Sequence, residues 1–129
     1  MAEQDVETIR GAYEAFARGD VPAVLGIMDP GVEWHEPGGG NSPSGTFNGP
    51  DSVASEVFAP IQANFDEYSV DPSDFSDEGD RVVVHVHHRG LGRASGVRTE
   101  MTYFTAWTFQ EDRVTRVDIA QDRKIALRT

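Results

Sequence analysis

The spacing of apolar residues changes once along this chain. Before Tyr68 they recur at helical intervals, and from there on they fall mostly at every second position. Val6, Ile9, Tyr13 and Phe16 form one stripe, which predicts a helix from about Glu3 to Arg18 with Gly19 in the position that ends it. Asp20 is placed to cap a second, short helix that takes Pro22 in its first turn. Its apolar face is Val21, Val24, Leu25 and Met28, and Pro30 ends it. A short strand from Val32 to Glu36 puts Val32, Trp34 and Glu36 on one face. Pro37 to Gly45 is rich in glycine, serine and proline and reads as a flexible loop. A third helix starts at Pro50, with Val53, Val57, Phe58, Ile61 and Phe65 as its core face, and Pro60 is expected to kink or break it.

Four strands are predicted after that. Tyr68 to Phe75 contains Pro72 and reads as an edge. Asp80 to Arg93 and Val97 to Gln110 are long strands joined near Ala94-Ser95-Gly96, and Arg113 to Asp122 pairs with the second of them, leaving the last seven residues as a tail. Helices followed by a meander imply an α+β layer pair. The expected fold is three N-terminal helices packed on a curved antiparallel sheet, a cone with an open mouth.

Alternation then assigns the side chains that line the cone. Met101, Tyr103, Thr105, Trp107 and Phe109 form the larger, more aromatic face of their strand and are pointed inward. In the last strand Val117, Ile119 and Gln121 face in, while Asp118 and Asp122 face out. The strand over residues 81–89 has two apolar faces, of which Val82, Val84, Val86 and His88 is taken as interior. The resulting pocket holds Tyr13, Phe16, Trp34, Phe58, Tyr103 and Trp107, with Glu36, His88, Thr105 and Gln121 as its polar members. A mostly apolar cavity with a few convergent polar groups suits a small organic molecule.

Composition narrows the alternatives. The chain has 129 residues, the length of a single domain spanning 1–129, and no cysteine, so disulfides and thiolate metal sites are excluded. Its net charge of −11, with 11 scattered lysines and arginines, argues against nucleic acid as a partner. No apolar run is long enough to span a membrane, and the acidic opening MAEQDVETIR does not read as a signal peptide, so a cytoplasmic location is expected. The glycines after Pro37 are not followed by the Lys-Ser/Thr pair of a phosphate cradle, and Gly40-Asn-Ser-Pro-Ser44 lacks the closing glycine of a nucleophile elbow. His85 and His87 share a strand face as two metal ligands would, but a third ligand would have to come from His35 on another strand, so no metal is expected.

Trp34-His-Glu-Pro-Gly38, Gly45-Thr-Phe-Asn-Gly-Pro50, Val57-Phe-Ala-Pro60 and Gly79-Asp-Arg-Val-Val-Val84 together resemble the SnoaL-like polyketide cyclases and ketosteroid-isomerase-related proteins of the nuclear transport factor 2-like superfamily. The similarity runs in order along nearly the whole chain. It implies the fold strongly and the reaction weakly, because this fold hosts isomerases, cyclases, hydrolases, dehydratases and binding domains. Glu36-Pro37 resembles the Asp-Pro whose carboxylate shuttles the proton in ketosteroid isomerases. The isomerases place a catalytic tyrosine on the first helix; an ungapped register puts it at Ala12, one residue before Tyr13. Thr105 stands where those enzymes keep a protonated Asp and many SnoaL-like proteins a His. Asp122 resembles an Asp near the end of the last strand that can act as acid or base.

The function expected from this reading is a cofactor-free acid/base enzyme of isomerase, cyclase or hydrolase type, acting on a small, largely apolar substrate. Glu36 would move the proton, with Tyr13, Thr105, His88 and Asp122 as further candidates and Phe16, Trp34, Phe58, Tyr103, Trp107 and Gln121 as ligand contacts. The alternative is a non-catalytic binding or dimerisation domain. The outer sheet face, with Thr102, Phe104, Ala106 and Thr108, carries little charge and is expected to meet a second copy in a homodimer.

Overall fold

Helix α1, Ala2–Ala17, is the amphipathic segment foreseen from its stripe, with Ile9, Ala12 and Ala15 buried. Gly19, at φ +77°, takes the left-handed turn that ends it, a conformation that costs glycine little. The computed structural model describes residues 2–39 and 42–122. Asp20 caps helix α2, Val21–Leu25, by accepting a hydrogen bond from the Ala23 N–H at 3.2 Å. This helix is shorter than expected. It stops at Gly26, and Met28 opens strand β1 instead of completing a helical face. The Met28 side chain is buried beside the sheet, where the neighbouring Val114 N–H donates to the Ile27 carbonyl at 2.9 Å.

Strand β1, Met28–Gly39, and strand β2, Ser42–Asn48, form a hairpin where a flexible loop was expected. Backbone pairing from Glu33 opposite Asn48 to Gly39 opposite Ser42 needs no side-chain preference, so glycine-rich composition did not reveal it. The chain then enters α3, Pro50–Val53, a π turn, Ala54–Phe58, and α4, Ala59–Asn64. Pro60 cannot donate a backbone hydrogen bond, and the wide π turn stands just ahead of it. Consecutive residues Val57 and Phe58 are both buried there. Phe65, expected on the helix, is the first residue of β3.

The remaining strands are β3, Phe65–Asp77, β4, Arg81–Gly92, β5, Arg98–Gln110, and β6, Arg113–Ala120. The six-stranded sheet has the order β2-β1-β6-β5-β4-β3. β3 is an edge, as its proline suggested. The pairings are antiparallel except between β1 and β6, which run parallel, so the sheet is mixed. Register shifts at Ser73/Ser76 and Thr108/Phe109 mark bulges, which bend strands. The expected tail, 123–129, and residues 40 and 41 lie outside the described residues.

The helices cover one sheet face. Val82, Val84, Val86, Trp107, Phe109, Val114 and Val117 from that face join Ile9, Val24, Val53, Val57 and Phe58 in the main core. On the opposite face Val83, Ala106 and Ala120 make a second, small cluster with Phe104 packed against it. Asp118 is also on this face, 3% exposed, and its Oδ2 accepts from Arg116 Nε at 2.8 Å.

Trp107 is 4% exposed and meets both Tyr13 and Trp34 edge-on at 5.8 Å between ring centroids. Replacing Trp107 with Ala should cost ~3–5 kcal/mol and lower the melting temperature by roughly 10 °C or more. A thermal melt followed by circular dichroism checks this; a melt within a degree or two of the parent would contradict it.

Candidate active site

β1 alternates, so Trp34 and Glu36 project from the same face. Trp34 is buried in the core and its Nε1–H donates to Glu36 Oε1 at 2.8 Å. The indole therefore fixes one carboxyl oxygen. Burial raises the Glu36 pKa to about 7, against the smaller opposing effect of the Trp34 hydrogen bond, which favours the charged form. Near neutral pH this group can accept or donate a proton.

α1 brings Tyr13 to the same space. Its hydroxyl oxygen accepts from Trp107 Nε1 at 3.3 Å. Burial pushes its pKa to about 12, so Tyr13 stays protonated. Thr105 comes from the inner face of β5 and is 2% exposed. Tyr68 of β3 and Tyr103 of β5 face the same space. Burial, followed by the charge of Glu36, raises the pKa of Tyr68, and burial likewise raises that of Tyr103.

These groups surround a cavity of about 70 Å³. Tyr13, Phe16, Trp34, Phe58, Tyr103 and Trp107, expected from the sequence, all line it, together with Glu36 and Thr105. Phe58 meets Trp34 edge-on at 5.6 Å, and Phe16 lies 5.5 Å from Phe58. No lysine or arginine is among the described residues that line it.

Three expected residues are placed elsewhere. His88 is buried on the inner face but does not line the cavity; it sits behind Tyr68, with ring centroids 4.6 Å apart. Gln121 and Asp122 are exposed and do not line it either. β6 ends at Ala120, and the bend that follows breaks the alternation that turned Gln121 inward, whereas Asp122 is exposed as alternation had it. The sequence reading also missed lining residues. Tyr68 and Val70 are one period-two step apart on β3, a signal obscured by the nearby Pro72. Ala12, beside Tyr13, lines it too, and Ile61 and Ile119, expected on the core face of their helix and the inner face of the last strand, join the apolar wall.

The remaining histidines belong to other surroundings. His87 Nε2 lies 2.6 Å from Glu100 Oε1, and His85 Nδ1 is 3.5 Å from the Ser73 hydroxyl. His35 Nδ1 is 2.9 Å from the Thr46 hydroxyl, on β2. Among the described residues, no three His, Asp or Glu side chains converge as a metal site would require.

No curated protein matches the sequence. Among solved structures, a nuclear transport factor 2-like protein of unknown function from Burkholderia pseudomallei is similar with a TM-score of 0.82 and 28% identity, covering 96% of this chain and 95% of that one. TerC, co-crystallised with polyporic acid, has a TM-score of 0.78 and 27% identity over the same shares. A nuclear transport factor 2-like protein from Burkholderia thailandensis, at 22% identity and a TM-score of 0.83 over 96% of this chain and 95% of that one, shares the fold. The SnoaL-like domain model matches residues 9–117. That match runs from Ile9 in α1 to Val117 in β6 and takes in every described residue lining the cavity except Ile119, and the chain belongs to the SnoaL-like domain family.

Proposed function

We propose that this chain is a cofactor-free acid/base enzyme in which Glu36 moves a proton on a small, largely apolar carbonyl compound. The observation that carries the reading is a single carboxyl group in an apolar cavity, oriented by Trp34 and held at a pKa of about 7. The proton leaves a carbon next to the carbonyl and goes to Glu36. The C–H electron pair becomes the new carbon–carbon π bond, and the carbonyl pair moves onto oxygen. The cavity offers that oxygen neutral hydroxyl donors and no cation among its described lining residues, which suits a substrate without carboxylate or phosphate groups. TerC, with its polyporic acid, supports an organic occupant for a cavity on this fold. Asp122 and Gln121 have no part in this chemistry.

Nitrobenzisoxazole tests the base directly, because its ring opens when a desolvated carboxylate removes one C–H proton. Elimination should rise with pH as Glu36 ionises near pH 7, and Glu36→Gln should lower kcat by at least ~10²-fold with little change in KM. Binding without elimination would make the chain a ligand-binding domain instead.

Stability gives an independent check. The folded pKa of Glu36 is about 7 and its ordinary value 4.5, so the neutral form suits the fold better. The stabilising contribution of the neutral group is fully present below pH 4.5 and is lost as pH rises through about 7. Glu36→Gln should therefore be more stable than the parent by on the order of 3 kcal/mol above that range, with no gain at pH 4 or below. Urea melts across pH measure this, and a gain independent of pH would contradict it.

We also propose that the chain acts as a homodimer through the outer sheet face. The reading rests on the Val83, Ala106, Ala120 and Phe104 cluster, which no described helix covers. Sedimentation at tens of micromolar should give twice the chain mass; a monomer would rule this out.

A further inference from the structure

His88 is 6% exposed, and its two ring nitrogens stand in different situations. Nδ1 lies 3.4 Å from the Tyr68 hydroxyl. Nε2 is buried with no hydrogen-bond partner. The ring is packed among Tyr68 at 4.6 Å, Phe65 at 6.1 Å and Tyr103 at 6.5 Å between centroids. Gly90 keeps Phe65 in this packing: a Cβ there would lie 2.7 Å from Phe65 Cδ1.

The orphaned nitrogen decides the tautomer. Burial, and then the neighbouring His87, lowers the pKa of His88, so the ring is neutral and carries one N–H. An N–H buried without an acceptor is the costlier orphan; an unpaired acceptor is the more tolerable one. The proton therefore belongs on Nδ1, where the Tyr68 oxygen can receive it. That choice sets the count of donors in front of it. The Tyr68 hydroxyl carries a single proton. If Nδ1 took that proton, Tyr68 could not donate to a ligand. With Nδ1–H donating to its oxygen, Tyr68 keeps its O–H for the cavity. Both tyrosines line the cavity that holds Glu36.

We propose that the Tyr68–Tyr103 pair is the subsite that receives the substrate's developing oxyanion, and that His88 is its positioning residue, donating Nδ1–H to Tyr68 so that one phenolic O–H turns into the cavity. This rests on the reading of Glu36 as the base and names the group that answers it. The ligand class follows: an uncharged ketone or enone whose oxygen becomes anionic, or a phenol.

Two measurements test this, and the first needs no variant. Nitrogen NMR of the histidine-labelled protein should show His88 neutral, protonated at Nδ1 and bare at Nε2; the opposite tautomer overturns the proposal. The second uses para-nitrophenol, whose anion is coloured, with the Glu36→Gln protein, so that the carboxylate does not repel the probe. Tyr103→Phe and His88→Leu, each added to Glu36→Gln, should weaken binding of the anion by at least ~10-fold. His88→Asn, whose amide can still donate from near the Nδ1 position, should stay within about threefold of the unaltered His88. His88→Leu removes the orphaned nitrogen, so its melting temperature should not fall, which separates loss of the donor from loss of structure. Equal binding in all these proteins, or none at millimolar probe, overturns the proposal. If these results hold while the parent fails to open nitrobenzisoxazole, the anion subsite stands and the catalytic role of Glu36 falls.

Discussion

The indole of Trp34 joins the stability of this molecule to its chemistry. Its ring packs edge-on against Trp107 and Phe58, and its N–H is spent on Glu36. A buried indole must place that N–H somewhere, and a buried carboxyl must find a donor. Each solves the other's problem inside a wall of hydrocarbon. Moving the tryptophan would take the carboxyl's only described side-chain donor with it. The site is therefore as rigid as the core, because the same side chain serves both.

The surface and the cavity follow opposite electrostatic rules. The chain carries a net charge of −11, and most of its described salt bridges are exposed on both sides. Exposed pairs of this kind add little to stability. Among the described residues that line the cavity, the titratable groups are one carboxyl and three phenols, all shifted by burial toward their neutral forms. A neutral interior holds its charge in reserve until a substrate is bound. Proton transfer then creates charge where the polar groups already point, and water need not rearrange to meet it.

Much of this was legible in the sequence, and the exceptions have physical causes. Period-two patterning in β4 and β5 assigned the inner faces correctly, because one strand face is aromatic and the sheet is covered on one side. Glu36 was legible because it lies two residues beyond Trp34 on a strand. The β2 hairpin was not legible, since backbone pairing holds it together and glycine, serine and proline conceal it. The parallel pairing of β1 with β6 joins segments some eighty residues apart, and no local pattern encodes it. Gln121 was misplaced because alternation was extended past the last paired residue, whereas Asp122, which alternation turned outward, is exposed. Tyr68 was overlooked because a proline four residues on made its strand look weak. His88 was assigned to the right face, but its depth behind Tyr68 depends on how β3 folds over it.

The π turn at Ala54–Phe58 bears on how such a cavity changes over time. A π turn carries one residue more than the α-helix it interrupts. Here that surplus falls among the residues that present Val57 and Phe58 to the cavity. Loss of a single codon in this stretch would return the segment to plain α-helix and rotate one flank against the other by about a hundred degrees. Val57 and Phe58 would then have to exchange faces with their neighbours, while Trp34 and Glu36, carried on the sheet, stayed where they are. Length variation in this one turn thus offers a lineage a way to reshape what the cavity admits without disturbing the group that would do the chemistry.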